Sequence, residues 1–307
     1  MNPLPCLPCY LNGDYTDLPN AKISVMDRGF IFGDGVYEVV PVYGGHLFRF
    51  EQHMDRLDRS LGELRIANPL SRLQWAEIAH QLITAYANFS KERIVDTHQL
   101  IYIQITRGVA LREHVMPQNI TPTVFVLANA MTMPSAAQRS AGVACVTADD
   151  FRWEMAHIKS TSLLGAVFAR QISFDAGAAE TVMFRHGFLS EAAASNVWVV
   201  KNGTVIGTPK DHCVLEGIRY GLIEELCRSN QIGFELRRLS REEVFSADEI
   251  LLSSATKEVL AVTRLDDRAV GCGTPGPVYH KLYAQYQVAI AQAREQKAPT
   301  TEPDRIQ

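Results

Sequence analysis

Residues 151–171, FRWEMAHIKSTSLLGAVFARQ, set one lysine, Lys159, among neighbours that read as buried. A β-rich run, VACVTADDF at 143–151, leads into it. Leu163, Leu164, Val167, Phe168 and Ile172 follow at helical spacing, so Lys159 falls at a strand-to-helix junction. A lysine desolvated there loses part of its preference for the ammonium form, and the neutral amine attacks carbonyls to form Schiff bases. The competing reading is a lysine that lays its methylenes on apolar surface and keeps its charge in water. The remainder of the chain tips the balance toward chemistry.

With 307 residues, 47% of them hydrophobic and 21% charged, the chain is long enough for two domains with separate cores. A net charge of -4 and scattered lysines and arginines offer no basic footprint for nucleic acid. The start, MNPLPCLPCYLNGD, has neither a cationic segment nor a long apolar run, and no later stretch reaches membrane-spanning length. That pattern points to a cytoplasmic protein without a membrane partner. The cysteines, at 6, 9, 145, 213, 227 and 272, lack the dense spacing of a disulfide framework. Cys6 and Cys9 match C-x-x-C, but there is no second pair for zinc and no flanking thioredoxin-like elements, so no metal site is read.

Asn12-Gly13 marks a tight hairpin, and 21–25 reads as a further strand. Gly33-Asp34-Gly35 leads into an alternating strand at 36–43, which Gly44-Gly45 turns back. Phe50, Met54, Leu57, Leu61 and Leu64 recur at helical spacing. A second helix follows Ser71, with Leu73, Trp75, Ile78, Leu82, Ile83 and Tyr86 inward. Strands at 98–106 and 123–128 flank a polar loop that carries Arg112 and His114. Residues 1–128 thus read as an α+β domain, and 129–138, NAMTMPSAAQ, as a linker. From 139 to 293 the pattern is α/β. Strands are expected at 143–149, 180–185, 188–206 with a turn at Asn202-Gly203, 234–239, 249–254 and 259–265, and helices at 163–175, 218–229 and 277–293. Residues 294–307 read as a flexible tail.

Three further stretches supply polar groups. Glu191, in LSEAAASNVWVV, precedes three alanines whose small side chains admit another body close to the backbone. Leu215-Glu216-Gly217-Ile218-Arg219 opens a helix whose free N–H groups suit a phosphate. Ser253-Ser254-Ala255-Thr256 closes a strand with further N–H groups and hydroxyls. A lysine for a carbonyl, a carboxylate for a ring nitrogen and two loops for a phosphate are what pyridoxal 5′-phosphate requires. From about residue 10 to residue 262 the chain resembles the D-amino-acid aminotransferases, within the fold type IV, branched-chain-aminotransferase-like group of pyridoxal-phosphate enzymes. The most specific parts are RGFIFGDGVYEVVPVY at 28–43, ITRGVALREHVMP at 105–117, FRWEMAHIKSTSLLGAV at 151–167 and SEAAASNV at 190–197.

The resemblance implies a two-domain fold, Lys159 as Schiff-base lysine and proton shuttle, and Glu191 as partner of the pyridinium nitrogen. By position, Arg56, Gly217, Ile218, Arg219, Ser254 and Ala255 belong to the phosphate cup, and Leu215 packs on the cofactor ring. Tyr37, Arg112 and His114 match the trap for the substrate carboxylate. The resemblance further implies transamination of D-alanine with 2-oxoglutarate to give pyruvate and D-glutamate, by a homodimer with sites near the interface. The chain departs from the group where Arg219-Tyr220 replaces a Thr-Arg-like pair, Ala255 a common threonine and Trp198 a smaller aromatic. Two cup hydroxyls are thereby lost, while backbone donors remain and Arg219 offers a charge. A branched-chain L-aminotransferase, an aminodeoxychorismate-lyase-like enzyme and a non-catalytic regulatory protein are the alternatives. Arg112-x-His114 favours the D-specific reading over the first two, and intact Lys159 and Glu191 disfavour the third.

Overall fold

The computed structural model describes residues 4–295. Its first half contains β1 (Pro8–Leu11), β2 (Asp14–Asp17), α1 (Arg28–Phe32), β3 (Gly35–Tyr43), β4 (His46–Leu47), α2 (Phe50–Glu63), α3 (Arg72–Ser90), β5 (His98–Thr106) and β6 (Thr123–Ala130). The strands form one sheet in the order β2-β1-β6-β5-β3-β4. Asn12 and Gly13 both take positive φ between the paired ends Leu11 and Asp14, the backbone that a two-residue hairpin turn requires. Met54, Leu57 and Leu61 on α2 and Trp75, Ile78 and Leu82 on α3 bury against Val36, Val40 and Ile103 of the sheet. Ser71 and Gln74 cap α3 reciprocally, which satisfies two donors that the helix leaves free.

The second half comprises α4 (Ala136–Ala141), β7 (Val143–Asp149), α5 (Leu164–Asp175), β8 (Glu180–Arg185), β9 (Phe188–Ala192), β10 (Asn196–Lys201), β11 (Thr204–Gly207), α6 (Arg219–Ser229), β12 (Gly233–Leu236), α7 (Arg241–Phe245), β13 (Glu249–Ser254), β14 (Glu258–Leu265), β15 (Arg268–Ala269) and α8 (Pro277–Glu295). Its sheet runs β12-β11-β10-β13-β14-β7-β8-β9, with β15 on β14. Pairing is parallel only at β11/β12, β14/β7 and β7/β8. Tyr220 and Ile223 of α6 and Leu282 and Tyr286 of α8 pack on Trp198, Leu251 and Ala261. Tyr43 and Phe48, from the end of β3 and just after β4, join the same cluster. The two sheets therefore share apolar contacts next to the helix start at Arg219. No helix among the described residues is long and apolar enough to cross a membrane.

This is the two-domain α+β architecture expected, with local corrections. Residues 21–25 form no strand, because the chain there runs as irregular backbone into α1. Leu73, read as inward, is 63% exposed in the first turn of α3. The run at 188–206 is broken by 193–195 into separate strands. The largest correction concerns α5, which buries only Ala169 and Ser173. Leu164, Val167 and Phe168 stand 69%, 59% and 59% exposed. Apolar spacing showed that α5 has an apolar face but not what covers it. Of the tail expected at 294–307, Arg294 and Glu295 complete α8 and the rest lies outside the described residues.

Trp75 is 1% exposed, and its indole N–H donates to Asn68 Oδ1 at 3.1 Å. Trp75→Ala should cost roughly 3–5 kcal/mol of stability through the cavity it leaves. A denaturant titration that shows less than about 1 kcal/mol would mean that this core collapses around the gap.

Candidate active site

The first sheet fixes Lys159, although the lysine belongs to the loop between β7 and α5. β4 pairs only with Val42 and Tyr43, so the edge of β3 at 35–37 is left open. The lysine loop fills it. Tyr37 N–H donates to Lys159 O and Thr161 N–H to Gly35 O, each at 2.9 Å, and Val36 bridges to Ser160. Thr161 and Ser162 hydroxyls donate to Gly33 O at 2.9 and 3.0 Å. Gly33 has φ of 65°, and a Cβ there would lie 2.8 Å from Ser162 Oγ, so the close approach requires glycine. Lys159 Nζ ends 4.1 Å from the centroid of the Tyr37 ring. Among the described residues it has no hydrogen-bond or ion-pair partner.

Lys159 faces a cavity of about 1200 Å³. Tyr37, Arg56 and Glu191 line it, as do Leu215, Gly217, Ile218 and Arg219 of the 215–219 turn, and Ser254 and Ala255 after β13. Arg112 and His114 do not line it. They occupy an exposed loop, where the Arg112 guanidinium and the His114 ring each lie 5.5 Å from the ring of Phe32, itself a lining residue.

Glu191 is buried in β9. Its Oε1 accepts from Arg152 Nη1 at 2.6 Å and from Leu215 N–H at 3.4 Å, and its Oε2 from Asn196 Nδ2 at 3.1 Å. Burial raises its pKa, and the adjacent Arg152 offsets this only in part. Asn196 Nδ2 also donates to Leu215 O at 2.9 Å. A Cβ on Gly217 would come within 2.1 Å of Asn196 Oδ1. The acid and the 215–219 turn are thus held as one unit.

A buried charge cluster lies beside that turn. Arg56 donates through Nε and Nη2 to both oxygens of Glu38, at 2.7 and 2.8 Å, and through Nη1 to Glu216 O at 3.2 Å. That engages three of the five N–H groups of Arg56. Burial would raise the Glu38 carboxyl, but Arg56 outweighs it and holds the group well below the usual carboxylate range. His53 Nδ1 lies 2.8 Å from Glu38 Oε2, and its Nε2 is 3.4 Å from Arg219 Nη1. A neutral imidazole with its proton on Nδ1 fits both contacts. Arg219 is 2% exposed and donates through Nε to Tyr286 OH at 3.0 Å. Its Nη2 has no hydrogen-bond partner among the described residues. Tyr220 turns the other way, its ring 4.6 Å from Trp198 and its hydroxyl 2.9 Å from Thr208 Oγ1. Trp198 therefore belongs to the core, with its N–H on Ser253 Oγ.

Residues 35–265 match the family described as amino-transferase class IV. The chain belongs to this family. It is 34% identical over 283 residues to a D-alanine aminotransferase of Bacillus licheniformis, covering 91% of this chain and 95% of that protein. It is 32% identical over 282 residues to a D-alanine aminotransferase of Staphylococcus epidermidis, covering 92% and 97%. In fold it superposes on a T.th. branched-chain amino acid aminotransferase solved with pyridoxamine 5′-phosphate, with a TM-score of 0.84, 21% identity and coverage of 95% and 96%.

Sequence reasoning on this class IV aminotransferase missed Glu38, His53, Arg152 and Asn196. For Glu38 a signal existed, since it shares the core-facing register of Val36 and Val40 in β3, where an acid demands a partner. Arg152 carried no comparable signal, because its tie to Glu191 depends on how the segment of Asp150 and Arg152 meets β9.

Burial pushes the His53 imidazole down to about 4 from its ordinary 6.5, against the pull of Glu38. The unfolded chain therefore takes up a proton below 6.5 that the folded chain refuses until about 4, and stability must fall as pH drops through that window. Glu38 stays ionised throughout it. Thermal melts at pH 6.5 to 4 should show a steeper loss for the wild type than for His53→Gln. Equal slopes would place the acid sensitivity elsewhere.

Proposed function

We propose that this class IV aminotransferase uses pyridoxal 5′-phosphate to pass an amino group from D-alanine to 2-oxoglutarate, giving pyruvate and D-glutamate. The observation that carries the proposal is the unpaired amine of Lys159 in one cavity with the buried Glu191 carboxylate and the unsatisfied Nη2 of Arg219. These match an aldehyde, a ring nitrogen and a phosphate, so the donor set fits the cofactor. The D-alanine aminotransferases that match over nine-tenths of this chain support the substrate class.

When bound, pyridoxal 5′-phosphate supplies an electron sink for the pair left at the substrate Cα. Lys159 Nζ would take the Cα proton and return it to the carbon on the other side of the transferred nitrogen, so that the C=N bond changes place. The Tyr37 ring beneath it restricts where the amine can reach. Glu191, fixed by Arg152 and Asn196, holds a proton at the ring nitrogen. Arg219, the N–H groups at the start of α6, and the remaining donors of Arg56 bind the phosphate. Tyr37, Arg112 and His114 bind the α-carboxylate and so choose which enantiomer presents its Cα–H to the lysine. The apolar face of α5 supports a homodimer, with a second copy covering Leu164, Val167 and Phe168. Residues 1–128 and 139–293 act as the two domains with 129–138 as linker, and the protein works in the cytoplasm.

Lys159→Ala should abolish turnover and the visible absorbance of bound cofactor. Borohydride reduction of the wild type followed by peptide mapping should label Lys159, and a label on another lysine would overturn the assignment. Arg112→Ala should lower kcat/KM for D-alanine about tenfold to a hundredfold, the worth of one charge-assisted hydrogen bond, while cofactor absorbance persists. A wild type that prefers L-valine or L-leucine to D-alanine would remove the D-specific reading and leave the cofactor reading standing.

A further inference from the structure

The 107–122 loop that carries Arg112 and His114 has no regular helix or strand, and Leu111 and Val115 on it are 86% and 73% exposed. Left to itself such a segment samples many backbone states. It is instead tied to α1. Asp27 bridges to Val109, Arg28 N–H donates to Gly108 O at 2.9 Å, and Arg28 Nη1 donates to Glu113 O at 2.5 Å. Arg28 is 3% exposed and itself held by Asp34, which also takes both arms of Arg107 at 2.8 and 2.9 Å. The ring of Phe32, one turn beyond Arg28, receives the Arg28 guanidinium at 4.8 Å and the Arg112 guanidinium at 5.5 Å, with the His114 ring alongside. Backbone anchors thus fix the base of the loop, and one aromatic ring is the shared contact of the two side chains.

We infer that Phe32 is a positioning residue for substrate binding: its ring, braced by Arg28, holds Arg112 and His114 in the orientation that receives the substrate carboxylate. This inference rests on the carboxylate role proposed above for Arg112. The aromatic face matters beyond its bulk, because a guanidinium over a π-system is attracted to the ring's negative face and leucine of similar size offers none. Gly33 and Asp34, immediately after Phe32, carry the contacts to Ser162 and Arg107. The Lys159 loop is therefore held through Gly33 rather than through the Phe32 ring, and the loss of that ring should misplace Arg112 and His114 without displacing the lysine.

The test uses cofactor-loaded wild type, Phe32→Leu, Phe32→Tyr, Arg112→Ala and the Phe32→Leu/Arg112→Ala double variant with D-alanine. Phe32→Leu should raise KM about threefold to thirtyfold, the range of a cation–π contact, with kcat changing less than KM and cofactor absorbance retained. Phe32→Tyr, which keeps the ring, should restore KM. In the Arg112→Ala background Phe32→Leu should raise KM by less than it does in the wild type, since only His114 is then left to misplace. A merely structural ring would instead lower the melting temperature in Phe32→Leu and leave KM unmoved, and that result overturns the inference. If Arg112→Ala raises KM while Phe32→Leu does not, only the positioning role fails. If neither changes KM, the carboxylate assignment of Arg112 fails and takes the positioning role with it.

Discussion

The open edge of β3 at 35–37 is the constraint on which the site depends. A two-residue β4 is too short to cover it, and unpaired N–H and C=O groups at a sheet edge must find partners. The loop after β7 supplies them, so Lys159 is registered to the first sheet although it follows a strand of the second. A backbone pairing of this kind holds a side chain more firmly than side-chain contacts alone, because the peptide groups have few other states once bonded. The same short stretch, through Gly33, Asp34 and the preceding α1, also reaches the loop of Arg112 and His114. One run of sixteen residues, RGFIFGDGVYEVVPVY, thereby fixes the lysine and the loop proposed to hold the substrate.

The charge balance of the cavity follows from which of its cations are paired. Glu38 neutralises Arg56, and Asp150 and Glu191 neutralise Arg152. His53 is held neutral by burial. Among the described residues, Arg219 is then a buried cation that no carboxylate pairs, and Lys159 and the exposed Arg170 also line the cavity without a carboxylate partner. An unpaired buried charge is costly, and a dianionic phosphate placed against it offsets that cost. In the phosphate role proposed for this turn, Arg219 would hold an anion by charge rather than by a neutral hydroxyl donor, next to Ala255, which has no hydroxyl to offer.

Much was determined by the sequence alone. Helical spacing and capping residues placed α2 and α3, alternation placed β3 and β5, and turn dipeptides placed the hairpins, because each depends on neighbours within a few residues. Part of the cavity lining was also legible, since Lys159, Glu191 and the 215–219 turn lie in recognisable local contexts, whereas His53, Arg152 and Asn196 were not. Tertiary structure alone decided how these stretches meet. The Glu38 partners come from α2, the Glu191 clamp from a loop after β7, and the exposed face of α5 from small residues that set its packing side. None of these could be read from spacing, because periodicity reports which residues share a face and carries no information on what that face meets.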